Sequence, residues 1–276
     1  MQVVTTYKEF AGGESVKSLA REFARSVIIA GLSIKRGIKG NNWIKLPYYH
    51  HVFDDERKGF ERQLKYLKNY GEFISMDDVW KMVHVDKKID GRYFCVSFDD
   101  GFYNCYTNMM PITHQLEIPV IIYLPTSYIN LDINVAADVQ KIKMFYPEKP
   151  RLMPFLNWEQ CRDMMRYKVS FGSHTVSHAN LIRLTPEDTE QELLSSRNII
   201  EKELGTTCEH FACPWGRSGI DFNPALTTNI AKRLGYKTFA TTNRGDVKIG
   251  SDLYQLKRDH LLANWSNYQL KYFFGR

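Results

Sequence analysis

No stretch of this chain approaches the roughly 18 consecutive apolar residues of a membrane-spanning helix. Its start, Met-Gln-Val-Val-Thr-Thr-Tyr-Lys-Glu, lacks the basic opening and long apolar run of a secretory signal. Cysteine is scarce and unpatterned. Cys95, Cys105, Cys161, Cys208 and Cys213 are odd in number and form no CxxC pair, which disfavours a disulfide-stapled secreted domain and leads us to expect a reducing, cytoplasmic setting. Linkers rich in Pro, Gly or Ser, low-complexity tracts and fixed-period repeats are also missing, so a single folded unit is expected. With 276 residues, 43% of them hydrophobic, the chain can bury a full core.

Charge is unevenly placed within the net +6. Between Glu14 and Lys45, seven Lys and Arg residues stand against Glu14 and Glu22, a local net of +5, and the rest is nearly neutral. The same stretch carries Val16, Leu19, Ala20, Phe23, Val27, Ala30 and Ile34 at three- and four-residue spacing. Residues 1–43 therefore read as a basic amphipathic N-terminal helical segment. It suits packing against the main body, or peripheral contact of residues 14–45 with an anionic membrane face. Nucleic acid is not expected, because the basic residues lack interleaved stacking aromatics. Oligomeric state leaves no signal.

From residue 44 to 276 apolar runs alternate with helical patterns. Ile44–Tyr49, Tyr93–Phe98, Val120–Leu124, Val169–Ser173, His210–Cys213 and Thr238–Thr241 read as strands, while Phe60–Leu67, Met76–Val83, Trp158–Tyr167 and Thr228–Leu234 read as helices. Thr185-Pro186-Glu187-Asp188 opens the clearest helix, closing at Gly205. Such alternation argues a parallel sheet with helices outside, closed or open. Tyr128–Phe155 has no clear period and reads as an insertion.

Chemistry-bearing residues gather after strands: His50, Asp99 with Asp100, His174, Pro214 and Arg258. In α/β barrels that rim is where sites are built. Two adjacent carboxylates, with His174 and His178 spaced i, i+4 as on one helical turn, suffice to hold one divalent metal and leave a carboxylate over as a base. Three protein ligands leave positions open, as catalytic centres require. The inventory points to metal-assisted hydrolysis.

Ser97-Phe98-Asp99-Asp100-Gly101 and His174-Thr175-Val176-Ser177-His178 resemble the [T/S]-F-D-D-G and H-[S/T]-x-x-H motifs of the NodB-homology polysaccharide deacetylases, carbohydrate esterase family four. Phe211-Ala212-Cys213-Pro214-Trp215-Gly216 is similar to that family's third motif. Tyr49-His50-His51-Val52 and Leu256-Lys257-Arg258 resemble segments of its poly-N-acetylglucosamine deacetylase branch. The resemblance implies a distorted (β/α) barrel with fewer than eight units, and removal of an N-acetyl group from an amino sugar in a polysaccharide, oligosaccharide or lipid-linked glycan precursor. It also implies roles. Asp100, His174 and His178 would bind one divalent metal, most often zinc, and Asp99 would be the base. The Trp215 N–H would face the oxyanion, and His50 would be the general acid, with His260 and then His51 as runners-up.

The family's usual third-motif arginine has no counterpart before Pro214, and Arg258 is the candidate to reach in instead. Cys213 is read as a small buried hydrophobe rather than an extra ligand, and His84 and His210 as surface or core histidines. The alternatives are a same-fold hydrolase of another amide, an imide or an O-acetyl ester, and a non-catalytic carbohydrate-binding protein.

Overall fold

The computed structural model describes residues 3–12, 27–34, 37–149 and 151–275. Among the described residues ten short strands are laid down in chain order: β1 (Trp43–Lys45), β2 (Pro47–Tyr49), β3 (Glu72–Phe73), β4 (Arg92–Phe94), β5 (Val96–Phe98), β6 (Val120–Leu124), β7 (Val169–Ser173), β8 (His210–Ala212), β9 (Thr238–Ala240) and β10 (Asp259–His260). Seven form one all-parallel sheet in the order β10-β2-β5-β6-β7-β8-β9, and β1-β4-β3 form a small parallel sheet beside it. The larger sheet is a curled half-barrel with helices outside, which is the distorted barrel of fewer than eight units.

Buried parallel strands read as unbroken apolar runs because both faces are covered. Val120–Leu124 is buried at every position. The helices bury one stripe each. In the helix Arg57–Lys68 the buried side chains include Phe60, Gln63, Leu64 and Leu67, at the three- and four-residue spacing of one helical face. The helix Pro186–Leu204 is bounded as its sequence dictates. The Thr185 side chain accepts from the Asp188 N–H, proline occupies the first turn, and Gly205 ends it at φ +67°, where a Cβ would cost energy.

Two expected strands are each divided. The run Ile44–Tyr49 breaks at Leu46 into β1 and β2, and Tyr93–Phe98 breaks at Cys95 into β4 and β5. The halves lie in different sheets, and the breaks are held together by the Cys95 N–H donating to the Lys45 carbonyl at 3.0 Å. Periodicity cannot reveal such a switch, because β1 and β2 are buried throughout and the run through Cys95 stays apolar where it changes sheet.

Tyr128–Phe155, expected without a period, contains the helix Ala136–Phe145. The gap between β9 and β10 is spanned by residues 256–258. The Leu256 N–H donates to the Phe239 carbonyl, and the Arg258 N–H to the Asn243 carbonyl. Arg258 therefore precedes its strand rather than following one.

Of the expected helical segment 1–43, residues 1–2, 13–26 and 35–36 lie outside the described residues; 7–11 and 27–34 are helical, whereas 37–42 are not and Trp43 already belongs to β1. Among the described residues no helix is long and apolar enough to cross a membrane.

Candidate active site

The C-terminal ends of β2, β5, β7 and β8 deliver the chemistry to one rim. Asp99 follows β5, with its N–H on the Tyr49 carbonyl at 3.0 Å. The chain then turns sharply, Asp100 and Gly101 taking φ +72° and +65°. That turn needs glycine for two reasons: left-handed backbone disfavours a Cβ, and a Cβ on Gly101 would sit 2.6 Å from Leu124 Cδ2. The turn points the two adjacent carboxylates to different partners.

Asp99 faces Arg258. The guanidinium is fully buried and grips the carboxylate through both oxygens, Nη1 to Oδ1 at 2.7 Å and Nη2 to Oδ2 at 2.8 Å. Its remaining donors reach the Thr241 carbonyl at 3.0 Å and Ser97 Oγ at 3.3 Å, and its plane lies 4.3 Å from the Tyr48 ring centre. Burial pushes the Asp99 carboxyl up, but the guanidinium outweighs it and holds the group below the usual carboxylate range. Asp99 is thus ionised and oriented. The bidentate fork fixes it better than a lysine could.

Asp100 faces two imidazoles. Its Oδ1 lies 3.5 Å from His174 Nε2 and 3.3 Å from His178 Nε2, yet that buried oxygen has no hydrogen-bond partner among the described residues. His174 explains why. Its Nδ1 is 2.7 Å from the Ala212 carbonyl, which accepts only, so Nδ1 carries the proton and Nε2 offers a bare lone pair. A lone pair and a carboxylate oxygen are left facing each other in a buried site, an arrangement that calls for a cation. The spacing fits one: an ion about 2.1 Å from tetrahedral ligands sets neighbouring donors about 3.4 Å apart. Asp100, His174 and His178 place one donor atom each within 4.8 Å of the others.

The His174–His178 spacing is not a helical turn. The residues form a loop in which Thr175 and His178 take φ +67° and +58°. Glu192, from the helix Pro186–Leu204, holds that loop by accepting from the Val176 and Ser177 N–H groups at 2.8 and 2.9 Å and from Ser177 Oγ. The left-handed backbone at His178 brings its ring back beside His174, packed against Phe145 and Trp215.

His50 Nε2 lies 4.0 Å from Asp100 Oδ2, and its Nδ1 is 3.1 Å from His260 Nε2, one ring donating to the other. Burial presses the His260 imidazole down to about 3, so its neutral form is the partner of His50. His51 packs between Phe53 and Phe102 and is likewise held neutral by burial, at about 3.

Trp215 is half-exposed at φ +55°, and its carbonyl accepts from Thr242 Oγ1 at 2.6 Å. Cys213 is buried, its thiol pushed up by burial, and stands apart from the Asp-His-His cluster. His84 stacks on Trp80, and His210 bonds Thr238 and Asp77. Sequence reasoning missed Glu192, and Tyr48 as the platform under Arg258. Neither carries a local signal, because each acts across the fold.

YxkH of Bacillus subtilis, named as a polysaccharide deacetylase, is 23% identical over 229 residues, covering 80% of this chain and 73% of that protein. The fold is shared with IcaB from Ammonifex degensii (TM-score 0.70, 18% identity, 86% of this chain and 99% of that one). It is shared also with the Streptococcus pyogenes deacetylase PplD solved with acetate (0.66, 23%, 85% and 98%), and with the BpsB deacetylase domain from Bordetella bronchiseptica (0.63, 17%, 81% and 98%). Residues 86–239, more than half of the chain and containing both carboxylates and both imidazoles, match the polysaccharide deacetylase family, and the chain belongs to it.

Proposed function

We propose that the chain is a metal-dependent hydrolase that removes the N-acetyl group of an amino sugar in a polysaccharide, oligosaccharide or lipid-linked glycan precursor. The observation that carries this is the unshared Asp100 oxygen facing two imidazole nitrogens, beside an Asp99 that is separately paired and ionised. A divalent ion held by Asp100, His174 and His178, with zinc first among candidates, would polarise the acetamide carbonyl and acidify a water. Asp99 takes the proton from the attacking water, with Arg258 as the residue that positions it. The N–H of Trp215 steadies the oxyanion as the carbonyl carbon becomes tetrahedral. His50, oriented by His260, protonates the leaving nitrogen, so the C–N bond breaks to acetate and a free amine.

The test is acetate release from a panel of N-acetylhexosamine oligomers and lipid-linked sugars. Products should be lighter by about 42 Da per site, with activity lost on chelation and regained with zinc. Zinc-loaded protein that cleaves O-acetyl esters but no amide on the panel would overturn the reading.

Residues 14–45 are proposed as a peripheral contact with the anionic inner face of the membrane, suiting a cytoplasmic enzyme with a lipid-linked substrate. Residues 27–34 turn Ile29 and Ser33 inward and leave Val27, Ile28, Leu32 and Ile34 exposed, with Arg25, Lys35, Arg36 and Lys39 flanking them in sequence. Apolar insertion plus basic flanks is the recipe for binding anionic headgroups. The protein should sediment with phosphatidylglycerol-containing vesicles at low salt and not with pure phosphatidylcholine. Ile28→Asp with Leu32→Asp should abolish sedimentation, and an unchanged bound fraction rules the contact out.

A further inference from the structure

The contact between His50 and His260 sits on the thinnest part of the larger sheet. β10 is a two-residue edge strand that meets β2 through Asp259 beside Pro47 and His260 beside Tyr48. Beyond that ladder the chain leaves β2 and β10 as separate loops, 50–53 and 261–266. A ladder so short opens easily, yet the two rings are set 3.1 Å apart. A buried amide bridges the loops. Gln63, in the helix Arg57–Lys68 and without exposed surface, donates from Nε2 to the carbonyls of Leu262 at 2.8 Å, Ala263 at 3.1 Å and Trp265 at 2.8 Å. Its Oε1 accepts from the Tyr49 hydroxyl at 2.9 Å. Carbonyls only accept, so a flipped amide would set its oxygen against all three of them. Earlier in the chain, buried Glu56 repeats the pattern, accepting from the Phe53 N–H at 3.1 Å and from the Asn264 N–H. Gly59, between them, makes room: a Cβ there would sit 2.5 Å from the Ala263 carbonyl oxygen.

We propose that Gln63 is a positioning residue for the proton delivered to the leaving nitrogen, and that it acts through the pair His50–His260. The proposal rests on the deacetylase reading, with His50 as the general acid. Tyr49 immediately precedes His50, and Leu262 lies just past His260, so one amide fixes both backbones next to both rings. His50 can aim Nε2 at a leaving nitrogen only while Nδ1 is held by His260. A shift of about 1 Å between the two loops breaks that hold, and misplacement of this size slows the reaction severely. Gln63 itself bonds only to the loop carbonyls and to Tyr49, so its effect on rate passes through the histidines. Asp100, His174 and His178 follow β5 and β7 and take no part in this bonding. Bound zinc therefore reports whether damage at Gln63 spreads.

The experiment is a double-mutant cycle on the full chain loaded with zinc, read as kcat and KM for acetate release from N-acetylglucosamine oligomers. Gln63→Met keeps the length of the side chain and removes its donors and acceptor. It should lower kcat about tenfold, with KM and zinc content unchanged. His50→Ala should lower kcat at least about a hundredfold. Adding Gln63→Met to it should cause no further loss, because a positioning residue is silent once the group it positions is gone. A second readout needs neither metal nor turnover. In imidazole 15N spectra of the zinc-free chain, the hydrogen-bonded signal of the histidine pair, assigned by its absence in His260→Gln, should move in Gln63→Met. If the methionine variant fails to fold, Tyr49→Phe replaces it in both measurements, with a loss of about threefold and the same silence beside His50→Ala. Losses that multiply in the double variant, full kcat in Gln63→Met, or an unmoved imidazole signal would overturn the role of Gln63. Full kcat in His50→Ala sinks the general-acid assignment, and release from no substrate by the unmodified chain sinks the deacetylase reading.

Discussion

Replacing Asp99 with asparagine should lower kcat for acetate release by about a thousandfold, the loss expected for removing a positioned general base, with KM nearly unchanged. Asparagine keeps the shape and one acceptor oxygen, so the substitution removes basicity with little change in geometry. It also removes a charge from a buried pair. Arg258 is fully buried, and a guanidinium that loses its carboxylate is costly, about 3–5 kcal/mol when one partner of such a pair is deleted outright. The remaining amide oxygen, the Thr241 carbonyl and Ser97 Oγ offset part of that, so the expected stability loss falls toward the low end of this range. Activity and urea unfolding therefore have to be read together. Adding Arg258→Met should recover stability without recovering turnover, because the methionine relieves the unpaired charge but supplies no base. Full kcat in the Asp99→Asn variant would refute the assignment of the base.

Much of the framework is written in local sequence. The helix Pro186–Leu204 carries its own start and stop in Thr185, Pro186 and Gly205, and β6 coincides with the apolar run that predicts it. Local signals fail where the decisive contact is distant. Leu46 and Cys95 divide two continuous runs between sheets because Cys95 pairs with Lys45, fifty residues away, and no period-2 or period-3.6 pattern records a strand's choice of sheet.

The same holds at the site. Spacing i, i+4 brings His174 and His178 together, but it does not distinguish a helical turn from a loop with left-handed residues at Thr175 and His178. Distant groups hold that loop: Glu192 from the next helix accepts from the Val176 and Ser177 N–H groups, and the Thr126 and Ser127 N–H groups donate to the Thr175 and Val176 carbonyls. Arg258 was legible as a candidate from the resemblance of its segment. The means by which it reaches Asp99, bridging the open edge between β9 and β10, follows from curling of the sheet. Residues 3–12 illustrate the limit. Nothing in their pattern marks them as part of the rim, and their bonds to Asp55, Lys149 and Leu152 appear only once the chain is folded.

Asp100→Ala should abolish stoichiometric metal binding, which separates the role of this carboxylate from that of its neighbour. The unmodified protein purified with zinc should carry about one ion per chain. Its thermal midpoint should rise with free zinc, since a ligand that binds the folded state alone at a thousand times its Kd stabilises by about 4 kcal/mol. With Asp100 replaced, His174 and His178 remain as neutral donors with no anionic partner. Two imidazoles alone hold a divalent ion far less well than a set containing a carboxylate. The zinc-dependent rise in midpoint should disappear, and turnover should fall below detection. Asp99→Asn, by contrast, should keep both the bound ion and the rise, because Asp99 is committed to Arg258 and lies outside the cluster. The two positions are adjacent in sequence and carry like carboxylates, so Asp100→Asn, which keeps the shape as Asp99→Asn does, is the control for a general disturbance of the turn and should also weaken zinc binding. Loss of zinc from the Asp99→Asn variant, or retention of one ion per chain after Asp100→Ala, would show that the carboxylates are divided between base and ligand in some other way.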